Sequence, residues 1–291
     1  NTLRFITGHP LNAGRPFRAA GRFISWQVRS RLASGPLIVD FVEGTKLLVS
    51  RGQTGATGNI YTGLHELPEM SFALHFLRPD DLFIDIGANV GTYTIIAAGA
   101  CGARCISFEP GQSAFDALKA NARLNELESR VDARQSAVGE RNGWTSFTAS
   151  GDTLAHVASD DDRQPMTRVA ITTLDDAISG QHPVLAKIDV EGYEGPVVAG
   201  APRTLADPSL LAVIMETNDS GRRYSMSSGD VDATMRQLGF HSFTYDAFTR
   251  KLTESHAGSL AENSIYVRDL AAVEDRLRSA RKFRIAGRPS L

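Results

Sequence analysis

The stretch Asp81-Leu82-Phe83-Ile84-Asp85-Ile86-Gly87-Ala88-Asn89-Val90-Gly91-Thr92-Tyr93-Thr94-Ile95-Ile96-Ala97-Ala98 decides how the chain is read. An apolar run ends in an acid, glycines follow at 87 and 91, and small and apolar residues then recur at helical spacing. That order predicts a strand, a tight turn and a helix. A glycine turn lets the backbone approach a ligand and aims the first helical N–H groups at it. Asp85, closing the strand, can accept hydrogen bonds from an ammonium or hydroxyl group. A nucleotide-type cofactor site is the first expectation.

Outward from this unit, strands and helices alternate. Toward the C-terminus the pattern predicts a strand at 105–108 ending on Glu109-Pro110, a helix at 113–124 and a strand at 131–138. A side hairpin pairs 144–149 with 168–172, and strands follow at 184–190 and 210–216 around a helical segment at 196–205 broken by Pro202. A helix at 231–238, strands at 240–245 and 264–268, and a basic helix at 270–283 complete the chain. Toward the N-terminus, residues 1–16 read as irregular and 17–33 as a helix. Short strands at 37–42, 46–49 and 60–61 surround a glycine-rich loop, and 66–77 is a helix. The whole is an α/β chain with a mostly parallel sheet. It divides into an extension at 1–70, a core domain at 71–269 and a basic tail at 270–291.

The 291 residues are 42% hydrophobic and 22% charged, as in ordinary globular proteins. No apolar run reaches membrane-spanning length, and the N-terminus has scattered arginines in place of a signal peptide's apolar core. Cys101 and Cys105 have no second Cys/His pair to complete a zinc site, so buried reduced thiols in a reducing cytoplasm are expected. Residues 1–31 hold six arginines and no acid, and residues 268–291 hold seven basic residues against three acids. The ends therefore carry +10 and the middle −12. An acidic body argues against a nucleic-acid binder, whereas the basic ends suit peripheral membrane or protein docking. In the first helix Phe17, Ala20, Ile24, Val28 and Leu32 share one face while Arg18, Arg22 and Arg29 point elsewhere. Such a helix can lie on a membrane, but the commoner arrangement packs that face on its own domain, and this is the expectation.

The choice of cofactor follows from spacing. Glu109 closes the second strand about twenty residues after the glycine turn, where an acid bonds ribose hydroxyls. The dinucleotide fingerprint G-x-G-x-x-G is not met, because Asn89 stands at the middle glycine and Asp85 adds negative charge where a pyrophosphate needs donors. A cofactor with a ribose and an amino-acid end fits better, which describes S-adenosylmethionine.

These pieces together resemble the FkbM family of class I S-adenosylmethionine-dependent methyltransferases. They are Asp85-Ile86-Gly87-Ala88-Asn89-Val90-Gly91, Phe108-Glu109-Pro110, Leu174-Asp175, Lys187-Ile188-Asp189-Val190-Glu191-Gly192-Tyr193-Glu194 and the strand ending at Glu216. The resemblance spans roughly residues 58–268 and makes 71–269 a methyltransferase domain. It implies a Rossmann-like seven-stranded sheet of order 3-2-1-4-5-7-6, with strand 7 antiparallel and helices on both faces. It also implies O-methylation of a sugar, glycan or other small molecule. Asp85, Gly87, Ala88, Asn89, Gly91 and Thr92 would then surround the methionine end of the cofactor, Glu109 with Pro110 the ribose, and Ser136-Ala137 the adenine.

Methyl transfer is an in-line displacement helped by proximity, and a hydroxyl acceptor gains from a general base. Asp189 is the first candidate beside the transferred methyl, Glu191 the second, and Lys187 neutralises or orients. Glu194, Glu216, His65 and Glu66 are the expected substrate contacts. No metal is counted among the cofactors, although Asp189, Glu216, Asn218 and Asp219 offer the oxygen donors of an alternative Mg²⁺ site. There is no Asp/Asn-Pro-Pro-aromatic turn for amine methylation and no Pro-Cys thiolate for base methylation, which favours oxygen as the acceptor. A non-catalytic scaffold on the same fold, or an NAD-linked oxidoreductase, are the competing functions.

Overall fold

The structure, a computed structural model, describes residues 2–148, 156–157, 165–217, 228–255 and 263–291. The extension contributes α1 (Thr2–Gly8), α2 (Pro16–Leu32), a hairpin of β1 (Leu37–Asp40) and β2 (Lys46–Val49), α3 (Thr54–Thr62) and α4 (Leu67–Phe76). Then come β3 (Leu82–Ile86), α5 (Thr92–Ile95), β4 (Arg104–Phe108), α6 (Gln112–Leu124) and β5 (Val131–Arg134). A side sheet follows, of β6 (Ala137–Val138), β7 (Gly143–Thr148) and β8 (Met166–Thr172), with α7 (Leu174–Ala177) after it. The chain continues with β9 (Leu185–Ile188), α8 (Glu194–Ala199), α9 (Pro202–Ala206), β10 (Ala212–Glu216) and α10 (Ser228–Gln237). It closes with β11 (His241–Asp246), β12 (Lys251–Glu254), β13 (Asn263–Val267) and α11 (Leu270–Ser279).

The central sheet has eight strands in the order β12-β11-β13-β10-β9-β3-β4-β5, not the seven expected. The strand missed in the sequence is β12, a mostly polar edge segment with no buried side chain to give it an alternating pattern. The five strands from β5 to β10 run parallel, and β13 is antiparallel to both β10 and β11. β3 is buried along its whole length because helices cover both faces. Phe83 points into one core cluster while Leu82, Ile84 and Ile86 point into the other, as strand alternation requires. Strand order reverses between β3 and β9, and Ile86 pairs with Phe108 on one side and Ile188 on the other, so their carboxyl ends open at one level. That crevice is where open α/β sheets bind ligands.

Three features of the extension depart from the sequence reading. Residues 2–8 are helical, and 54–62 form α3 in place of a loop and a strand. Glycine is a poor helix former, so α3 is set by packing: a Cβ on Gly58 would lie 2.5 Å from the His65 ring. In α2, the buried residues are Ala19 and Trp26, and the face expected to pack is exposed, with Phe17 91% and Leu32 82% accessible. The tail after α11 packs on the extension. Phe283, Ile285 and Leu291 are buried in the same core as Ile6 and Val42, and Arg288 donates to the Ile60 carbonyl. Cys101 and Cys105 are free and buried. Among the described residues no helix is long and apolar enough to cross a membrane.

Candidate active site

After β3 the chain turns through Gly87 (φ 78°), Asn89 (φ 50°) and Gly91 (φ 88°). A Cβ on Gly87 would sit 1.8 Å from the Asp189 carbonyl oxygen, so only glycine lets this turn pass beneath the end of β9. Asparagine is among the few side chains that tolerate the left-handed region, which explains its place at the middle glycine position. The Asn89 N–H donates to Glu109 Oε2 (2.8 Å) and the Gly111 N–H to Glu109 Oε1 (2.7 Å). Each carboxylate oxygen thus spends one lone pair on the backbone and retains acceptor capacity. Burial pushes the Glu109 carboxyl up to about 7, against the pull of those two N–H groups.

The end of β9 is organised by charge. Lys187 Nζ lies 2.7 Å from Asp189 Oδ2 and 4.8 Å from the centre of the Tyr93 ring. Burial opposes the ammonium charge, but Asp189, Asp85 and Glu66 outweigh it and raise the lysine above its ordinary range. Tyr93 donates to Glu66 Oε2 (2.6 Å), and burial together with Glu66 and Glu69 keeps the phenol neutral. Glu69, on α4, is pushed up to about 7, first by burial and also by Glu66. Asp85 Oδ2 accepts from the Thr94 hydroxyl (2.7 Å), which also meets Ser107 (2.8 Å), forming a polar seam under α5. Burial raises Asp85 despite Lys187 and Thr94.

Between these two strand ends lies a cavity of about 1070 Å³. Gly87, Ala88, Asn89, Thr92, Glu109, Pro110, Ser136, Ala137, Lys187, Asp189, Glu191, His65 and Glu66 all line it. Four expected residues do not. Asp85 is buried behind the wall, and Gly91 starts α5 against Leu118. Glu194 accepts from the Val190 and Gly192 N–H groups and so caps the turn after β9. Glu216 is partly buried at the end of β10, its carboxyl raised by burial and by Asp189, Glu191 and Glu194. Asp189, Glu191 and Glu216 nonetheless offer oxygens within 4.8 Å of one another, a set a hard cation could use, whereas Asn218 and Asp219 fall outside the described residues. The sequence reading did not single out Tyr93, and it expected acceptor contacts from 144–172 without naming Trp144, Phe147 or Arg168, which also line the cavity. Only Tyr93 had a signal, being the one large polar side chain among the small residues of the helix after the turn. Trp144 is 62% exposed at the cavity with the Arg168 guanidinium 4.8 Å from its ring centre.

A doubly covered, mainly parallel sheet with a glycine turn, an acid at the second strand end and a charged pair at the fourth defines a Rossmann-like transferase of the class I methyltransferase type. Residues 85–242 match the family model "Methyltransferase FkbM domain". The chain is also 30% identical over 200 residues to 31-O-demethyl-FK506 methyltransferase FkbM of Streptomyces tacrolimicus, covering 56% of this chain and 74% of that one. The chain belongs to the FkbM methyltransferase family and is a methyltransferase. More distant solved structures include a TehB-like S-adenosylmethionine-dependent methyltransferase from Corynebacterium glutamicum, with a TM-score of 0.42 and 11% identity, covering 74% of this chain and 95% of that one. Another is M. capricolum TrmK in complex with S-adenosyl-homocysteine, with a TM-score of 0.39 and 8% identity, covering 68% of this chain and 66% of that one.

Proposed function

We propose that the chain moves a methyl group from S-adenosylmethionine to a hydroxyl oxygen of a sugar, glycan or secondary metabolite. The observation that carries this reading is a single cavity bounded by backbone-held Glu109 at one strand end and the Lys187–Asp189 pair at another. The residues fit the cofactor: Glu109 keeps acceptor capacity for two ribose hydroxyls, and no phosphate-binding donors are needed. Gly87, Ala88, Asn89 and Thr92 serve the amino-acid end, and Ser136 with Ala137 the adenine. When bound, the cofactor supplies an electrophilic methyl on a sulfonium, so alignment carries much of the catalysis.

The chain's own part is to orient the acceptor. Lys187 holds Asp189 Oδ2, which leaves Oδ1 to accept the hydrogen bond, and then the proton, of the incoming hydroxyl. The lysine lowers the electrostatic cost of a carboxylate so near the other acids of this wall. The relative's name gives 31-O-demethyl-FK506 as its substrate, an oxygen acceptor, which agrees with the absence of amine- and base-methylation motifs here. The test is a screen of nucleotide sugars, glycolipid precursors and polyketide alcohols with methyl-labelled S-adenosylmethionine. Label is expected on an oxygen of one class and is expected to appear about 100-fold more slowly with Asp189→Asn. Label on nitrogen or carbon overturns the reading.

A further inference from the structure

Helix α2 has two apolar faces, and only one is used. Ala19 and Trp26 are buried, and Phe23 stacks edge-on to Tyr61 of α3 with ring centres 5.1 Å apart. At 3.6 residues per turn, Phe17, Ile24, Val28 and Leu32 fall within an arc of about 80° on the opposite side. Their accessibilities are 91%, 59%, 51% and 82%, and Phe17 and Leu32 are the two most exposed large apolar side chains among the described residues. Arg18 and Arg29 border this stripe on one edge and Arg31 on the other, and all three are exposed. No acid occurs before Asp40, in a chain whose middle is strongly acidic.

We infer that this face docks on an anionic lipid surface. An amphipathic helix with a narrow apolar stripe edged by arginine lies in the interface plane, its apolar side chains among the acyl chains and its guanidinium groups on the headgroup phosphates. The charge decides the occupant: a second copy of this chain would bring the same arginines face to face in a symmetric pair, where like charges repel. At 17 residues and with five internal or flanking arginines the helix lies on the membrane and does not span it. The docked helix is tied to the cavity, since Gln27 donates to Tyr61 Oη (2.8 Å) and α3 supplies Gly55, Ala56 and Asn59 to the cavity wall. Docking would therefore present the cavity to amphipathic acceptors held at a bilayer.

The experiment is co-sedimentation of the full chain with vesicles of phosphatidylcholine alone or mixed with phosphatidylglycerol. Binding is expected only with the anionic lipid and is expected to fall as salt rises. Phe17→Glu with Leu32→Glu should weaken partitioning by at least about tenfold, since two apolar anchors are lost. Arg18→Gln with Arg29→Gln should weaken it by roughly tenfold while leaving the melting temperature unchanged. All four positions are exposed, so circular dichroism of the variants should match wild type. No binding to either vesicle, or binding unchanged in both double variants, overturns the proposal. So does a dimer in sedimentation velocity that Phe17→Glu with Leu32→Glu abolishes while vesicles remain unbound.

Discussion

At the end of β4 a carboxylate is held by two backbone N–H groups, whereas at the end of β9 a carboxylate is held by a lysine side chain. The first arrangement is built into the fold: Asn89 and Gly111 cannot move without disturbing β3 and β4. Under the proposed function, this carboxylate would meet the two ribose hydroxyls of the cofactor. The second depends on a buried side chain whose charge also faces Asp85 and Glu66. Under the proposed function, the backbone-held carboxylate would serve cofactor binding and the lysine-held one the chemistry.

The most severe way to break this comparison is to disturb the turn that lies between the two strand ends. Gly87→Ala would drive a Cβ into the Asp189 carbonyl at a positive φ, so both ends should shift. S-adenosylmethionine binding by calorimetry should weaken by about 100-fold or more, with a lowered melting temperature. Wild-type affinity in this variant would show that the turn does not shape the site.

Asp189→Asn separates the ends. Turnover should fall about 100-fold while cofactor affinity stays within about threefold, because the β4 end is untouched. Since Lys187 already supplies the positive charge at this wall, the wild-type rate should persist in EDTA. A chelation-sensitive rate restored by Mg²⁺ would transfer the role of Lys187 to a metal held by Asp189, Glu191 and Glu216.

The β4 end has its own signature in pH. With its carboxyl near 7, Glu109 must lose a proton before it can accept from a diol, so affinity should rise with pH. Between pH 6 and pH 8 the gain should be about tenfold, and Glu109→Gln should bind weakly with no such slope.

The smallest effect concerns stability. Glu69 is raised from its ordinary value to about 7 by burial, so the folded state holds a proton there that the unfolded state releases near pH 4.5. Stability from this residue is therefore full below that value and is lost as pH rises through 7. Glu69→Gln should stabilise the chain by about 2 kcal/mol at pH 8 and by much less at pH 5, as read from urea midpoints.

What the sequence made legible was local in spacing or imposed by the sheet. Gly87, Asn89 and Glu109 could be read because a turn of that composition and an acid at the next strand end are fixed in register by β3 and β4. Lys187 and Asp189 were legible as a pair on one face of a strand, at a separation of two. The misreadings came from contacts between distant segments. Tyr93 meets Glu66 across 27 residues, and the Glu194 carboxyl turned back on its own loop and left the cavity wall. In α2 the pattern Phe17, Ile24, Val28, Leu32 was seen, but a second, shorter pattern of Ala19, Phe23 and Trp26 gave the closer packing and won. Periodicity identifies a helix and its candidate faces; the partner surface chooses between them.

The measurement that bears most directly on the central claim is calorimetric titration of the full chain with S-adenosylmethionine and, separately, with NAD⁺. Saturable binding of one S-adenosylmethionine is expected, weakened at least about tenfold by Glu109→Ala, with no binding of NAD⁺. Failure to bind S-adenosylmethionine, or affinity indifferent to Glu109, would contradict it.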